Sequence, residues 1–410
     1  MYKTQIKKKN IGKLPEKEMR ISDLFIALSK ALDMGKIEVL DHSRRVAYFS
    51  LEIAKKLNIN KAKVNEVVLA ALINDIGITS AEDKLEIQKN FNLEKSLAEN
   101  HSKTGYSLTQ NINILPNISN IILHNHHKYQ GNNFNGVKGK DIPLASRIIF
   151  LADRIESLIK PGEYILFQAN EILSQIEAKA NQWFDPNLVK VFKELAKREF
   201  FWLNIKTEEY NSVLENWGKE THMKIDLENL ESIASVMANL IDRISPFTSR
   251  HSSGVATIAA MLTHELGFNE LEQRAMRIAG LFHDLGKLII PAEIIEKEAE
   301  LNDDEYMIIK QHPYYSYRLL TKIRGLGNIP EWAAFHHERL NGNGYPFHYG
   351  AEKLNFGSRI LAVSDVFQAL TEDRPYREAF SMSQALDIID EMKNNNELDA
   401  DVVFALKESI

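Results

Sequence analysis

The sequence predicts an all-α protein made of two tandem helical bundles, and three observations predict it. Apolar residues recur at three- and four-residue steps in SDLFIALSKALD, VAYFSLEIAKKL, ESIASVMANLID and VATIAAMLTHEL, the period that gathers them on one face of a helix. Runs of alternating β-branched residues are scarce. Third, one spaced set of histidines and carboxylates occurs twice. His251, His283-Asp284, His312, His336-His337 and Asp365 follow one another at steps of 32, 29, 24 and 28 residues. His42, Asn74-Asp75, His101, His126-His127 and Asp153 repeat the series at 32, 27, 25 and 26.

The flanking words repeat with the set. DHSRRVA answers RHSSGVA, ALINDIG answers GLFHDLG, and LADRIESL answers VSDVFQAL. Agreement over about 110 residues implies an internal duplication, with a period far longer than that of a solenoid. Taken in order, the lysine-rich first 20 residues read as a solvated arm. The first copy runs to about residue 198 within a domain spanning 1–215. Residues 199–224 form a junction whose FFWLNI is too apolar for a free linker, and it is expected to pack one domain against the other. The second copy fills residues 225–410. QGNNFNG, IRGLGNIP and NGNGYP mark loops through their glycine, proline and asparagine content.

Composition bounds the reading. A chain of 410 residues exceeds one core and suits two domains. It is 44% hydrophobic and 26% charged, the balance of a globular protein. No apolar run nears the roughly 18 residues of a membrane span, and the start lacks the apolar core of a signal peptide, so a cytoplasmic location is expected. With no cysteine, disulfides and thiolate ligands are excluded, and any metal must be held by nitrogen and oxygen. A net charge of −6 gives no field favouring duplex nucleic acid.

Nine of the 13 histidines belong to the repeated set. The other four, His124, His222, His264 and His348, read as ordinary core or surface residues. In the second copy seven imidazole and carboxylate groups exceed what one tetrahedral ion takes. A dinuclear centre of iron, manganese or a similar ion suits them better than structural zinc. Two such ions can activate water and stabilise both sides of an in-line displacement at phosphorus. Phosphoester hydrolysis is the natural reaction.

HDLGKLIIP, HHERLNGNGYP and RILAVSDVFQALTEDRPYREA resemble the HD-GYP family, a branch of the HD-domain metal-dependent phosphohydrolases, over about residues 226–405. The resemblance implies two tandem HD-type bundles, the second an HD-GYP domain that hydrolyses a cyclic dinucleotide to the linear dinucleotide. It implies His251, His283, Asp284, His312, His336, His337 and Asp365 as ligands of two divalent ions, iron or manganese, with Asp284 as the bridge. Lys287 would face a substrate phosphate and share the catalytic role with Asp284. Arg339, Gly344, Tyr345, Pro346, Arg374 and Arg377 would line the substrate site. Cyclic di-GMP is the default substrate and the hybrid 3'3'-cyclic GMP-AMP the alternative. A mononucleotide phosphohydrolase and a non-catalytic receptor or scaffold are competing readings, against which the GYP and RPYR words and the intact ligand set stand.

Two departures qualify the resemblance. Phe247 stands where some members carry a third-metal glutamate, which leaves two ions. Asn341 replaces an acid in the loop word. The first copy has lost more, with Asn74 for the paired histidine, Ile78 for the lysine, YQGNNFNG for the loop and LIKPGEY for RPYR. It reads as a degenerate HD domain for regulation, packing or dimerisation, with a residual metal site on Asp75, His101, His126 and His127. The sequence admits a homodimer or a signalling-protein partner without naming either.

Overall fold

The computed structural model describes residues 9–33, 41–78, 83, 86–87, 91–92, 95–244, 251–295, 297, 299–373 and 378–410. It is helical almost throughout. Two compact units divide it, residues 20–223 and residues 1–19 together with 224–410. The strands are two-residue pieces, β1 (Met19–Arg20) paired with β2 (Lys224–Ile225).

The first unit contains α1 (Ile21–Asp33), α2 (His42–Lys56), α3 (Lys61–Leu72), α4 (Lys95–Thr109), α5 (Ile118–Leu123), α6 (Leu144–Ser157), α7 (Ile165–Ala178), α8 (Pro186–Ala196), α9 (Glu199–Lys206) and α10 (Tyr210–Glu220). The second contains α11 (Leu227–Ile244), α12 (His251–Glu265), α13 (Glu270–Phe282), α14 (Ala292–Ile295), α15 (Asp303–Ile309), α16 (His312–Leu320), α17 (Ile329–Ala334), α18 (Phe356–Thr371), α19 (Met382–Asn394) and α20 (Ala400–Ser409). The duplication is visible in the order. α2 packs on α3 and α6 as α12 packs on α13 and α18.

Local chemistry sets the helix starts. Asn269 and Glu272 form a capping box that opens α13, and Asn302 with Glu305 does the same for α15. Each satisfies donors that the first turn cannot pair internally. Pro186 starts α8 behind Asp185, whose carboxylate accepts from Asn187 N–H. Gly280 lets α13 approach α12, since a Cβ there would meet Ala256 Cα at 2.6 Å.

One expectation about the chain's margins is corrected, and the junction takes a helical form. The segment FFWLNI forms α9, whose Phe201 and Trp202 are buried in the core of their own unit against Tyr48, Phe49 and Phe192. Those two rings are thus covered within residues 20–223, whereas Phe200 is exposed. The N-terminal arm is not solvated along its described part. Ile11, Pro15 and Met19, at steps of four, are buried, the Ile11 carbonyl accepts from Trp332 Nε1 at 3.1 Å, and Asn328 N donates to the Lys13 carbonyl at 2.8 Å. Lysines mask this in the composition because their charged ends stay in water while the apolar residues between them turn inward.

Candidate metal centre

All seven expected ligands of the second copy converge. His251 opens α12, His283-Asp284 follow the end of α13, His312 opens α16, His336-His337 follow α17, and Asp365 lies on α18. Donor atoms of His251, His283 and Asp365 lie within 4.8 Å of one another, as do those of His312, His336 and His337, and those of His283, Asp284 and His336. Asp284 stands between the groups. Its Oδ1 is 3.2 Å from His312 Nε2 and its Oδ2 is 3.2 Å from His283 Nε2.

The turn that carries Asp284 is built for close approach. The glycine of HDLG suggests a helix ending at Gly286; α13 instead stops at Phe282, and Leu285–Ile289 continues as a 3₁₀ helix. At Gly286 a Cβ would overlap the His312 carbonyl oxygen. Ser316 Oγ locks the turn, accepting from Gly286 N–H at 2.8 Å and donating to the His283 carbonyl at 2.9 Å. Three residues per turn eclipse positions i and i+3, so Lys287 Nζ comes to 2.6 Å from Asp284 Oδ2.

Backbone carbonyls orient the imidazoles. Nδ1 of His283, His312 and His336 donates to the carbonyls of Gly280, Ile309 and Ala333 at 2.6, 2.8 and 2.6 Å. That fixes the tautomer with the Nε2 lone pair toward the centre. His283 Nε2 is buried without a hydrogen-bond partner, an orphan that a cation would satisfy. Burial penalises the Asp284 and Asp365 carboxyls, yet His283 and Lys287 beside the first, and His251 and His337 beside the second, hold both well below the usual carboxylate range. Burial and His283 push His336 down to about 3, and burial and His336 push His337 well down. Burial opposes protonation of His251, but Asp365 and Glu372 raise it to about 9. Ionised aspartates and the neutral imidazoles of His336 and His337 are the forms that bind transition metals, and His251 would release its proton to a bound cation, so the donor set fits a divalent pair.

The rim divides the remaining expectations. Gly344 packs where a Cβ would overlap the backbone of Glu338, Tyr345 lays its ring against His337 at 4.7 Å between centroids, and Pro346 follows it in the same loop. Arg339 donates Nη1 to the carbonyls of His336 and Glu338. Asn341 accepts from Asn343 N–H in its own loop and donates Nδ2 to the Asn395 carbonyl at 3.2 Å. Arg374, Arg377 and Phe247 lie outside the described residues. Two contributors escape sequence reasoning. Glu372 accepts from His251 Nδ1 at 3.1 Å, and buried Glu338 holds the loop by accepting from Phe347 N–H and Tyr349 N–H at 2.7 and 2.9 Å. Their signal in the sequence is the acid directly after the histidine pair and the acid two helical turns beyond Asp365.

The first copy converges less completely. Asp75, His101 and His126 bring donors within 4.8 Å of one another. His127 does not join them; its ring packs on His124 and Phe134. His42 and Asp153 stand beside this group, 3.2 Å apart.

The family model described as HD domain matches residues 27–188 and again 235–402. The chain is 30% identical to the 3'3'-cGAMP-specific phosphodiesterase 1 of Vibrio cholerae over 395 residues, 94% of this chain and 91% of that one. It is 33% identical to a cyclic di-GMP phosphodiesterase of Thermotoga maritima over 142 residues, 34% of this chain and 38% of that one. The crystal structure of a cyclic GMP-AMP specific phosphodiesterase of V. cholerae covers 96% of this chain and 98% of its own, with TM-score 0.66 and 23% identity, which speaks for the fold.

Proposed function

The chain belongs to the HD-domain family, and on that premise we propose that its second unit hydrolyses a cyclic dinucleotide to the linear dinucleotide. The observation that carries the reading is the Asp284 carboxylate, with one oxygen toward His312 and the other toward His283 and Lys287. His251, His283, Asp284 and Asp365 would hold one ion, and Asp284, His312, His336 and His337 the other. Bound divalent ions, iron or manganese by the donor set, supply acidified water and charge neutralisation for in-line attack at phosphorus.

The chain's own groups do the positioning. Lys287 offers a charge-assisted donor to a phosphoryl oxygen. Tyr345, set against His337, bounds the place where a sugar or base would rest. Water adds across one phosphodiester: its oxygen joins phosphorus, the ester P–O bond breaks, and a proton goes to the departing sugar oxygen. The degenerate first unit would serve regulation or packing.

For the bases, we place 3'3'-cyclic GMP-AMP first and cyclic di-GMP second, reversing the order drawn from the motifs. What favours the hybrid is that the likeness to the V. cholerae cGAMP-specific enzyme spans both units, whereas the cyclic di-GMP relative quoted above matches over a third of the chain. The test is incubation of Mn²⁺- or Fe²⁺-loaded protein with each cyclic dinucleotide and separation of products. One linear dinucleotide accumulating, fastest from the hybrid, is expected; faster turnover of cyclic di-GMP would reverse the assignment. Asp284→Ala, which removes the carboxylate shared by both groups, should abolish turnover. A metal-replete Asp284→Ala protein with wild-type rate would sink the dinuclear reading.

A further inference from the structure

The residues of the duplicated site in the first unit have two kinds of surroundings. On one side, Arg154 is buried next to Asp153 and donates to its Oδ2 from Nε at 3.0 Å and Nη2 at 2.7 Å. Nη2 also donates to the Ile87 carbonyl at 2.9 Å, so the guanidinium is held by main chain as well. The second copy has Val366 at this position, and there Asp365 faces the histidines with no such partner in sequence. His42, the counterpart of His251, donates Nδ1 to Glu156 at 2.6 Å, and Glu156 accepts from Arg45 Nε at 2.7 Å. Asn74 stands for His283 and donates its amide to Asp75 Oδ1 at 3.0 Å. Each of these residues therefore has a side-chain partner, although His42 Nε2, Asn74 Oδ1 and Asp153 Oδ1 make no hydrogen bond.

On the other side no side chain hydrogen-bonds the imidazoles at all. His101 and His126 are buried, and neither ring nitrogen of either has a hydrogen-bond partner. Four orphaned imidazole nitrogens in one polar pocket would be costly without a ligand. Their donors converge with Asp75, and the ion-pair network on Asp153 and Glu156 supplies no hydrogen bond to them. A recess of about 80 Å³, lined in part by His127, Lys128, Arg154 and Trp183, reaches His126. As in the second copy, a glycine makes the approach possible: a Cβ on Gly77 would overlap the His101 carbonyl oxygen.

We propose that the first unit binds one divalent cation on Asp75, His101 and His126, and that the Arg154 guanidinium permanently occupies the role of the second cation. Three nitrogen and oxygen ligands suit manganese, iron or zinc, with the remaining positions open to water or an anion from the recess. The duplicated half thus exchanges a removable charge for a covalently attached one. This goes beyond the catalytic reading, which concerns the second unit.

Metal analysis of the full-length protein after loading with Mn²⁺ tests it by difference. Wild type should carry about one ion per chain more than His126→Ala, and about one more than His101→Ala, with the double variant losing no further ion. His124→Ala, beside the site but hydrogen-bonded to the Asn120 carbonyl, should keep the full count. A folded His126→Ala protein with the wild-type count overturns the site. The Arg154 half is read separately. Asn74→His with Arg154→Met restores the imidazole and removes the fixed charge at similar volume, and should gain about one ion relative to wild type. No gain in a folded double variant overturns that half. Because each count is a difference within residues 20–223, loss or retention of phosphodiesterase activity leaves the expected counts unchanged.

Discussion

At the scale of the residue, the most exposed member of the centre is also the one with a distinct task. Lys287 is anchored by the 3₁₀ turn and bears a charge against Asp284 Oδ2, but an ammonium is no ligand for a cation. Lys287→Ala should therefore lower kcat by on the order of 10²-fold, the usual loss for one preorganised donor, while metal content stays at the wild-type level. Parallel loss of metal and turnover would assign the lysine to metal retention instead. The donors themselves are legible in the sequence because histidines and aspartates recur at matched steps in both copies. Their supports are not. Glu372 touches His251 across 121 positions, and an acid near a helix end looks like any solvated carboxylate until the fold brings the imidazole to it. His127 departs from its expected place for a related reason: adjacent histidines point in different directions, and only the fold says which way each turns.

At the scale of the element, the decisive feature is a turn too tight for any side chain. Gly286 lies where a Cβ would overlap the His312 carbonyl, so Gly286→Ala must push the turn away from α16. Overpacking of this sort costs roughly 1–3 kcal/mol or more. The expected readout is a thermal midpoint lower by several degrees together with reduced metal retention, since the displaced turn carries Asp284. A variant as stable as wild type, with full metal, would show that the turn adapts freely. Helix positions follow from apolar periodicity and caps, whereas the 3₁₀ continuation does not, because a glycine after HDL reads equally well as a helix stop. The pairing of α2 with α6 gives a second prediction. Burial disfavours the charge on Glu156, but Arg45 and His42 outweigh it and draw its pKa down to about 2. A carboxylate depressed in the folded state stabilises it above its unfolded pKa near 4.5, and that contribution disappears as pH falls toward 2. Urea midpoints at pH 5 and pH 3 should therefore drop further for wild type than for Glu156→Gln; equal drops would deny the linkage.

At the scale of the whole molecule, two bundles are readable from one duplicated series, but their borders are not. Lysines at the N-terminus outweigh three inward residues in the composition, and FFWLNI does not say which of its rings enter a core, because a domain core and an interface have the same apolar signature. The arm's burial predicts that deleting residues 1–19 leaves Trp332 Nε1 without its acceptor and exposes the surface under Ile11. The deletion should lower the unfolding midpoint of the second unit and red-shift its tryptophan emission. An unchanged midpoint would mean the arm contributes nothing. The same contact bears on how the chain is made. Ile11 and Trp332 are 321 positions apart, so residues 20–223 leave the ribosome and can close their own core while the arm still waits for a partner not yet translated. At roughly 5–20 residues per second, that wait lasts on the order of half a minute. The unit that joins Ile11 to Trp332 is therefore completed only after residues 20–223 have been made.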